Sequence, residues 1–363
     1  MRNFKVDIIT NVNDEFLSEW QNLWDNSDNA HLFNSPRWLL TVSDAFGIKD
    51  YLVFVCYLKE KLVAVYPFAY SRRFGIKVLA SVGSKYSDKS PLLIYQKDGR
   101  LLKFFLSQIF NLGNVYLPEV DGWMLDGLKK AHNYIFVDGP NLSPFIPKEP
   151  ELLAFLDKRQ KRKIKSESVK NQENLRFQTY TKEKEKISEI VFAVESVSSR
   201  RARGKGTFTD PNTKKIFNSI MKFWADEISL DVMYFKGKPV CYMFGILNAK
   251  TFYALNTAYL EGYQDIIPGK MVVYYLLQRL QASGVELFDF LRGSSRFKQD
   301  FTPFFSEQYD VYFSNNFLVR IWWALGVNFT NFIKESGLLY KIYLTFKNQA
   351  LTFLGINPKL AHT

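Results

Sequence analysis

The stretch from Phe252 to Asp300 holds most of the chemistry this sequence offers. Tyr259, Glu261 and Tyr263 follow one strand-like run, and Asp289 stands at the end of another. Phenols and carboxylates at strand ends are suited to proton transfer. Between them a loop runs through Gln264 into Pro268-Gly269-Lys270, where a helical pattern begins. A loop entering a helix is an anion site, because the first N–H groups have no partner inside the helix and the dipole favours negative charge. Gly269 allows close approach to the backbone, Lys270 adds a cation, and Met271 and Val272 continue the first turn, so a diphosphate would be well placed there. Arg292, Arg296 and Lys298 cluster behind Gly293, as a docking point for an anionic group or as a basic surface turn.

These residues need strand, loop, helix, strand and loop in that order. The first strand ends near Ala258. The helix starts at Pro268 or Gly269, presents Val272, Leu276 and Leu280 on one face, and stops at Ser283-Gly284. A short strand over Glu286 to Phe290 leads into the turn at Arg292-Gly293.

The surrounding pattern occurs twice. After Ser35-Pro36, a helix from Arg37 to Phe46 feeds strands at Tyr51–Tyr57, Leu62–Tyr70 and Ile76–Val82. After Asp210-Pro211, a helix carrying Ile216, Ile220, Phe223 and Trp224 feeds strands at Asp231–Phe235, Pro239–Leu247 and Phe252–Ala258. Short polar links join the strands as hairpins. The expectation is a mixed α+β chain in four parts: a domain over 1–150, a basic helical linker over 151–190, a second domain with the site over 191–315, and an amphipathic helical tail over 316–363.

The chain has 363 residues and a formal net charge of +12, a balance that favours anionic partners. Lys158, Arg159, Lys161, Arg162, Lys163 and Lys165 form a basic run, either a solvated helix face or an arm that meets an anionic substrate. Arg200, Arg201, Arg203 and Lys205, broken by glycines, form a basic loop with the same two readings. Cys56 and Cys241 lie in apolar runs and read as inert buried thiols, in a reducing compartment. His31, His132 and His362 are far apart, and no carboxylate–His spacing suggests a metal. The opening MRNFKVDIITNVNDEF has no apolar core of a signal peptide, and no run is long enough to span a membrane, so the expected compartment is the cytoplasm.

The text AYLEGYQDIIPGK…ASGVELFDFLRGSSRFKQDF resembles the CelD/BcsL-type, BioF-like acetyltransferases of the GNAT superfamily, relatives of the FemAB proteins. Tyr259, Pro268-Gly269, Gly284, Asp289-Phe290, Gly293 and Phe297-Lys298 carry the resemblance. It extends more loosely over about residues 15–315, with Trp20, Trp24, Ser35-Pro36 and Trp38 in the first half. Two positions depart: Ile267 stands where many GNAT loops have glycine, and Phe297 where this family usually has tyrosine.

The resemblance implies tandem GNAT folds, each a mostly antiparallel mixed sheet flanked by helices. It implies direct acyl transfer from acetyl-CoA or another acyl-CoA, without a metal, to an amine or hydroxyl of a sugar or lipid-linked precursor of surface polysaccharide. Asp289 is then the leading general base or acceptor-orienting group, or else caps the Arg292 turn. Tyr259 or Tyr263 protonates the leaving thiolate, or packs as a groove aromatic. Glu261 is a second base, or a solvated charge. Gln264, Pro268, Gly269, Lys270, Met271 and Val272 hold the donor, while Arg201, Arg203, Arg292, Arg296 and Lys298 meet the acceptor. Two other readings stand beside this one: a FemAB-like transferase fed by charged tRNA, and a non-catalytic GNAT pair serving as a scaffold at the membrane.

Beyond the repeat, Leu318, Ile321, Trp322, Leu325, Phe329, Phe332 and Ile333 recur at helical spacing, and Leu338 to Leu351 continue the stripe with interspersed cations. Such helices lie on an anionic membrane face, or pack back on the protein.

Overall fold

A computed structural model describes residues 4–132, 134–149, 151–202 and 206–336. They fall into two compact units: Met1–Pro140 with the chain from Glu307 onward, and Asn141–Ser306.

The first unit opens with β1 (Phe4–Ile9), α1 (Asp14–Asp25) and α2 (Pro36–Phe46). The meander β2 (Tyr51–Leu58), β3 (Lys61–Arg73) and β4 (Ile76–Ser81) follows, then β5 (Leu93–Ile94), α3 (Gly99–Phe110), β6 (Val115–Asp121) and α4 (Gly122–Ala131). β7 (Ile135–Pro147) leads on into the second unit. β1 to β4 pair antiparallel, and β4 meets β6 in parallel at Leu79↔Val115 and Ala80↔Tyr116. Phe105, Leu106 and Ile109 of α3 and Leu128 of α4 fill the core against Val115 and Leu117.

The second unit holds α5 (Lys158–Lys170), β8 (Leu175–Tyr180), α6 (Lys184–Ser196), α7 (Ser199–Ala202) and α8 (Pro211–Phe223). The meander β9 (Ile228–Phe235), β10 (Lys238–Asn248) and β11 (Thr251–Tyr259) follows, then α9 (Pro268–Ala282), β12 (Leu287–Asp289) and α10 (Arg296–Gln299). β13 (Phe305–Phe313) and α11 (Phe317–Glu335) return to the first unit.

All four hairpins of the two meanders turn through two residues. Lys59-Glu60, Phe74-Gly75 and Lys236-Gly237 place both residues at positive φ, the backbone that matches strand twist in a two-residue loop. Ser35 and Asp210 cap α2 and α8 by accepting the N–H of Trp38 and Asn212, and a proline stands in each first turn.

Two segments differ from the sequence expectation. Residues 151–190, read as a basic linker, lie inside the second unit, where β8 pairs antiparallel with β9 from Leu175↔Phe235 to Tyr180↔Leu230. β13, placed by sequence in the second domain, pairs with β6 of the first unit from Gln308↔Asp121 to Phe313↔Val115. The tail stripe from Leu338 to Leu351 lies outside the described residues.

Helices cover both faces of the β9–β11 meander. Glu195 of α6 meets Tyr242, while Arg279 of α9 meets Asp231, which pairs with Met243, the next residue along β10. Successive strand residues point to opposite faces, so α6 and α9 lie on opposite sides.

Candidate active site

β11 and β12 begin side by side and then separate. They pair in parallel over Thr251↔Leu287, Phe252↔Phe288 and Tyr253↔Asp289, after which β12 ends and β11 runs on to Tyr259. The chain beyond β12 follows β7 instead: Phe290 N–H donates to Pro144 O and Gly293 N–H to Leu142 O, both at 3.0 Å. Leu291, at φ +61°, makes the bend. Lys298 Nζ fixes it by donating to the carbonyls of Phe290, Leu291 and Arg292 at 2.7, 3.0 and 2.8 Å.

The parted edge of β11 presents a backbone donor. Leu260 N–H donates to Val240 O next to β10. Strand N–H groups alternate in direction, so that of Thr257 faces the edge that β12 has left, while further on Ser198 bridges Leu260 and Glu261 N–H donates to Val197 O at 3.3 Å on the same edge. A donor fixed at such an edge suits a developing oxyanion.

A cavity of 480 Å³ opens beside this edge, lined by Thr257, Ala258, Tyr259, Gln264, Ile267, Pro268, Gly269, Lys270, Ser295, Phe297 and Arg200. The start of α9 forms one wall. It has no side-chain cap. Pro268 supplies no N–H, and those of Lys270 and Met271 turn back on Ile267 O at 3.0 and 3.2 Å. This leaves Gly269 N–H as the first-turn donor not used within the helix. A Cβ on Gly269 would meet the Phe297 ring at 3.4 Å, an ordinary van der Waals contact, so the position has room for a side chain. Ile267, where glycine was missed in the sequence, takes the left-handed conformation regardless, at φ +45° and ψ +48°. A β-branched residue there stores about 1–3 kcal/mol of strain, a cost that tends to collect at functional sites.

The first unit contains the same order of strand, helix and strand in β4, α3 and β6, with a different helix start. Asp98 caps α3, its carboxylate accepting the N–H groups of Arg100 and Leu101 at 2.8 and 3.4 Å. The anion position at that helix end is already filled by the protein's own carboxylate. The second unit alone offers an uncapped start at this point.

The structure brings part of the expected set together. Tyr259, Gln264, Pro268, Gly269 and Lys270 line the cavity. Gln264 donates to Glu261 Oε1 at 2.8 Å, which holds the exposed Glu261 near the rim. Lys270 Nζ is engaged by Asp300 Oδ2 and Gln160 Oε1, each at 2.7 Å. Met271 and Val272 are buried in the body of α9.

Other residues stand apart from the cavity lining. Asp289 is buried, and its carboxylate accepts Leu291 N–H at 2.8 Å, a position that shapes the bend. The Tyr263 ring packs edge-on to Phe235. Lys298 is held by the three carbonyls. Arg292, Arg296 and Arg201 are exposed, and Arg200, the neighbour of Arg201, lines the cavity instead. Arg203 lies outside the described residues.

One group was missed. Glu195 of α6 is buried and accepts from Tyr242 Oη at 3.2 Å, Asn256 Nδ2 at 3.4 Å and Ser198 Oγ at 3.4 Å. Asn256 also donates to Tyr242 Oη at 2.9 Å, and its neighbour Thr257 lines the cavity. Burial, and then the charge of Glu195, push the Tyr242 phenol well above its ordinary range; Arg200 opposes this. The signal was present: Glu195 follows Ile187 and Val191 at four-residue intervals on the buried stripe of α6. Among the described residues, no group of three or more His, Cys, Asp or Glu is placed to hold a metal.

Residues 158–299 match the family model described as an acetyltransferase (GNAT) domain. No curated protein matches the sequence. Among solved structures, the chain is similar to FemX, with 10% identity, a TM-score of 0.61, and coverage of 87% of this chain and 99% of that one. It is similar to the C-terminal domain (DUF2156) of a lysylphosphatidylglycerol synthetase from Agrobacterium fabrum, so described provisionally, at 11% identity and TM-score 0.56, over 88% and 96% of the two chains. L-PGS from Bacillus licheniformis gives 11% identity and TM-score 0.52, over 85% and 95%. At these identities the likeness is one of fold.

Proposed function

We propose that this chain, which has a GNAT-superfamily, FemAB-related fold, is a GNAT-type acyltransferase that takes an acyl group from acyl-CoA and works in its second unit. One observation carries the reading: β11 parts from β12 beside an uncapped helix start, and both border one cavity. A diphosphate fits the Gly269 end of α9, and a thioester fits the gap, with its carbonyl toward the N–H group of Thr257.

In the reaction an amine or hydroxyl forms a bond to the acyl carbon while the carbon–sulfur bond breaks. The nucleophile's proton leaves, and the thiolate takes one up. Tyr259 lines the cavity, which supports it as the phenol for the second transfer. The acceptor is a sugar or lipid-linked molecule; the polar rim of Arg200, Gln264 and Ser295 supports a hydroxyl-rich partner, and the sugar class itself rests on the family resemblance.

Gly269→Asp tests the donor site. An acidic residue in the first turn favours the helix and repels a diphosphate. Calorimetry should find coenzyme A binding to the native chain and none to the variant at equal melting temperature. Equal binding by both would sink the proposal.

A second reading, transfer from charged tRNA, draws support from α5. Lys158, Arg159, Arg162, Lys163 and Lys165 are exposed on it, and Gln160 of the same helix holds Lys270 at the cavity wall. It predicts tRNA affinity that falls steeply with salt.

A further inference from the structure

α11 is apolar on two sides, and the first unit covers one of them. Trp323 and Val327 are buried with Val78, Ala80, Tyr116 and Tyr312. Gly326 lets the helix close on Phe74, whose ring would stand 2.9 Å from an added Cβ. The other side carries Leu318, Trp322, Leu325, Phe329 and Phe332, spaced by four, three, four and three residues and between 56% and 72% exposed. A second apolar side that the protein leaves exposed calls for apolar surroundings of its own. The indole N–H of Trp322 donates to Phe74 O at 2.9 Å, which satisfies its polar edge and leaves the ring face outward.

A cation and a phenol border this stripe. Arg320 stands 4.5 Å over the Tyr134 ring, and Tyr134 is 58% exposed. From Phe317 to Lys334 the sequence contains no carboxylate, and the whole chain carries +12. Asp138 accepts from Asn331 Nδ2 of the helix at 3.0 Å.

We propose that this face of α11 docks on an anionic lipid surface, with the helix lying in the interface plane. Exposed Trp, Tyr and Phe with a bordering Arg suit the headgroup layer of an anionic leaflet. No described helix is long and apolar enough to cross a membrane, which agrees with a surface position. A second copy is a poorer occupant. A two-fold contact through this stripe would set Arg320 near its counterpart, with like charges opposed.

The test is co-sedimentation of the full chain with vesicles of pure phosphatidylcholine and with vesicles containing phosphatidylglycerol. The native chain binds the anionic vesicles. The triple variant Leu318→Ser, Leu325→Ser, Phe329→Ser, altered only at exposed positions, keeps its melting temperature and loses at least tenfold in partition. Arg320→Gln weakens binding to anionic vesicles alone. The proposal is overturned if the native chain stays in solution with both vesicles, or if the triple variant binds equally well. A dimer in sedimentation velocity that the triple variant dissociates also overturns it, in favour of a second copy.

Discussion

Asp300 Oδ2 lies 2.7 Å from Lys270 Nζ, so the cation at the start of α9 comes with its own counter-charge. A diphosphate arriving there competes with Asp300. Asp300→Asn keeps the shape and removes the competitor. We expect the Kd for coenzyme A to fall about three- to tenfold, on the order of 1 kcal/mol for a partly exposed pair. Calorimetric titration checks this; an unchanged Kd would place Lys270 outside the donor site.

Tyr259 and Asp289 separate a catalytic effect from a structural one. Tyr259→Phe removes the one phenol lining the cavity and should lower kcat about 100-fold with little change in donor KM. Asp289→Ala removes the acceptor that holds Leu291 N–H at the bend after β12 and should lower stability by about 1–3 kcal/mol. Steady-state rates and melting curves on both variants distinguish the two effects.

Ile267→Gly tests the strain at the helix start. Glycine adopts positive φ freely, so relief of about 1–2 kcal/mol opposes the loss of a half-buried side chain. The expected outcome is a urea midpoint equal to or above that of the native chain. A loss above about 1 kcal/mol would mean that the side-chain contacts outweigh the strain.

Stability should fall as pH rises through the alkaline range. Burial pushes the Cys56 thiol up to about 12 and the Tyr66 phenol up to about 12, and it raises Cys241 as well. Tyr116 and Tyr242 are also raised, by burial first and then by Asp310 and Glu195. In the unfolded chain thiols ionise near 8.5 and phenols near 10, so there the unfolded state binds fewer protons than the folded one. Stability is therefore complete below about pH 8 and declines above it, by about 1.4 kcal/mol per pH unit for each group between its two values. Urea midpoints from pH 7 to 10 check the sign, and a flat or rising series would contradict it. Both thiols should resist a thiol reagent at neutral pH until the chain is unfolded.

The sequence made the second meander and α9 legible because local rules act there. The turn at Lys236-Gly237, proline in the first turn of α9 and Gly284 after its end each fix a boundary without distant partners. β8 was hidden because the dense charge of α5 made the whole stretch read as solvated, although Leu175, Phe177 and Thr179 alternate. Lys298 looked like a substrate cation because its partners are main-chain carbonyls, which no side-chain pattern announces. The partial pairing of β11 with β12 was expected only by analogy, since a three-residue ladder leaves no mark on composition.

The return of β13 to β6 sets an order of events during synthesis. The ribosome delivers residues 141–306 between the two parts of the first unit. At ~5–20 residues per second that interval lasts roughly 8–33 s, during which β6 waits with one hydrogen-bonding edge unclaimed. The domain begun first is thus completed last, and the nascent chain must keep Val115–Asp121 from adhering to other strands until Phe305–Phe313 emerges.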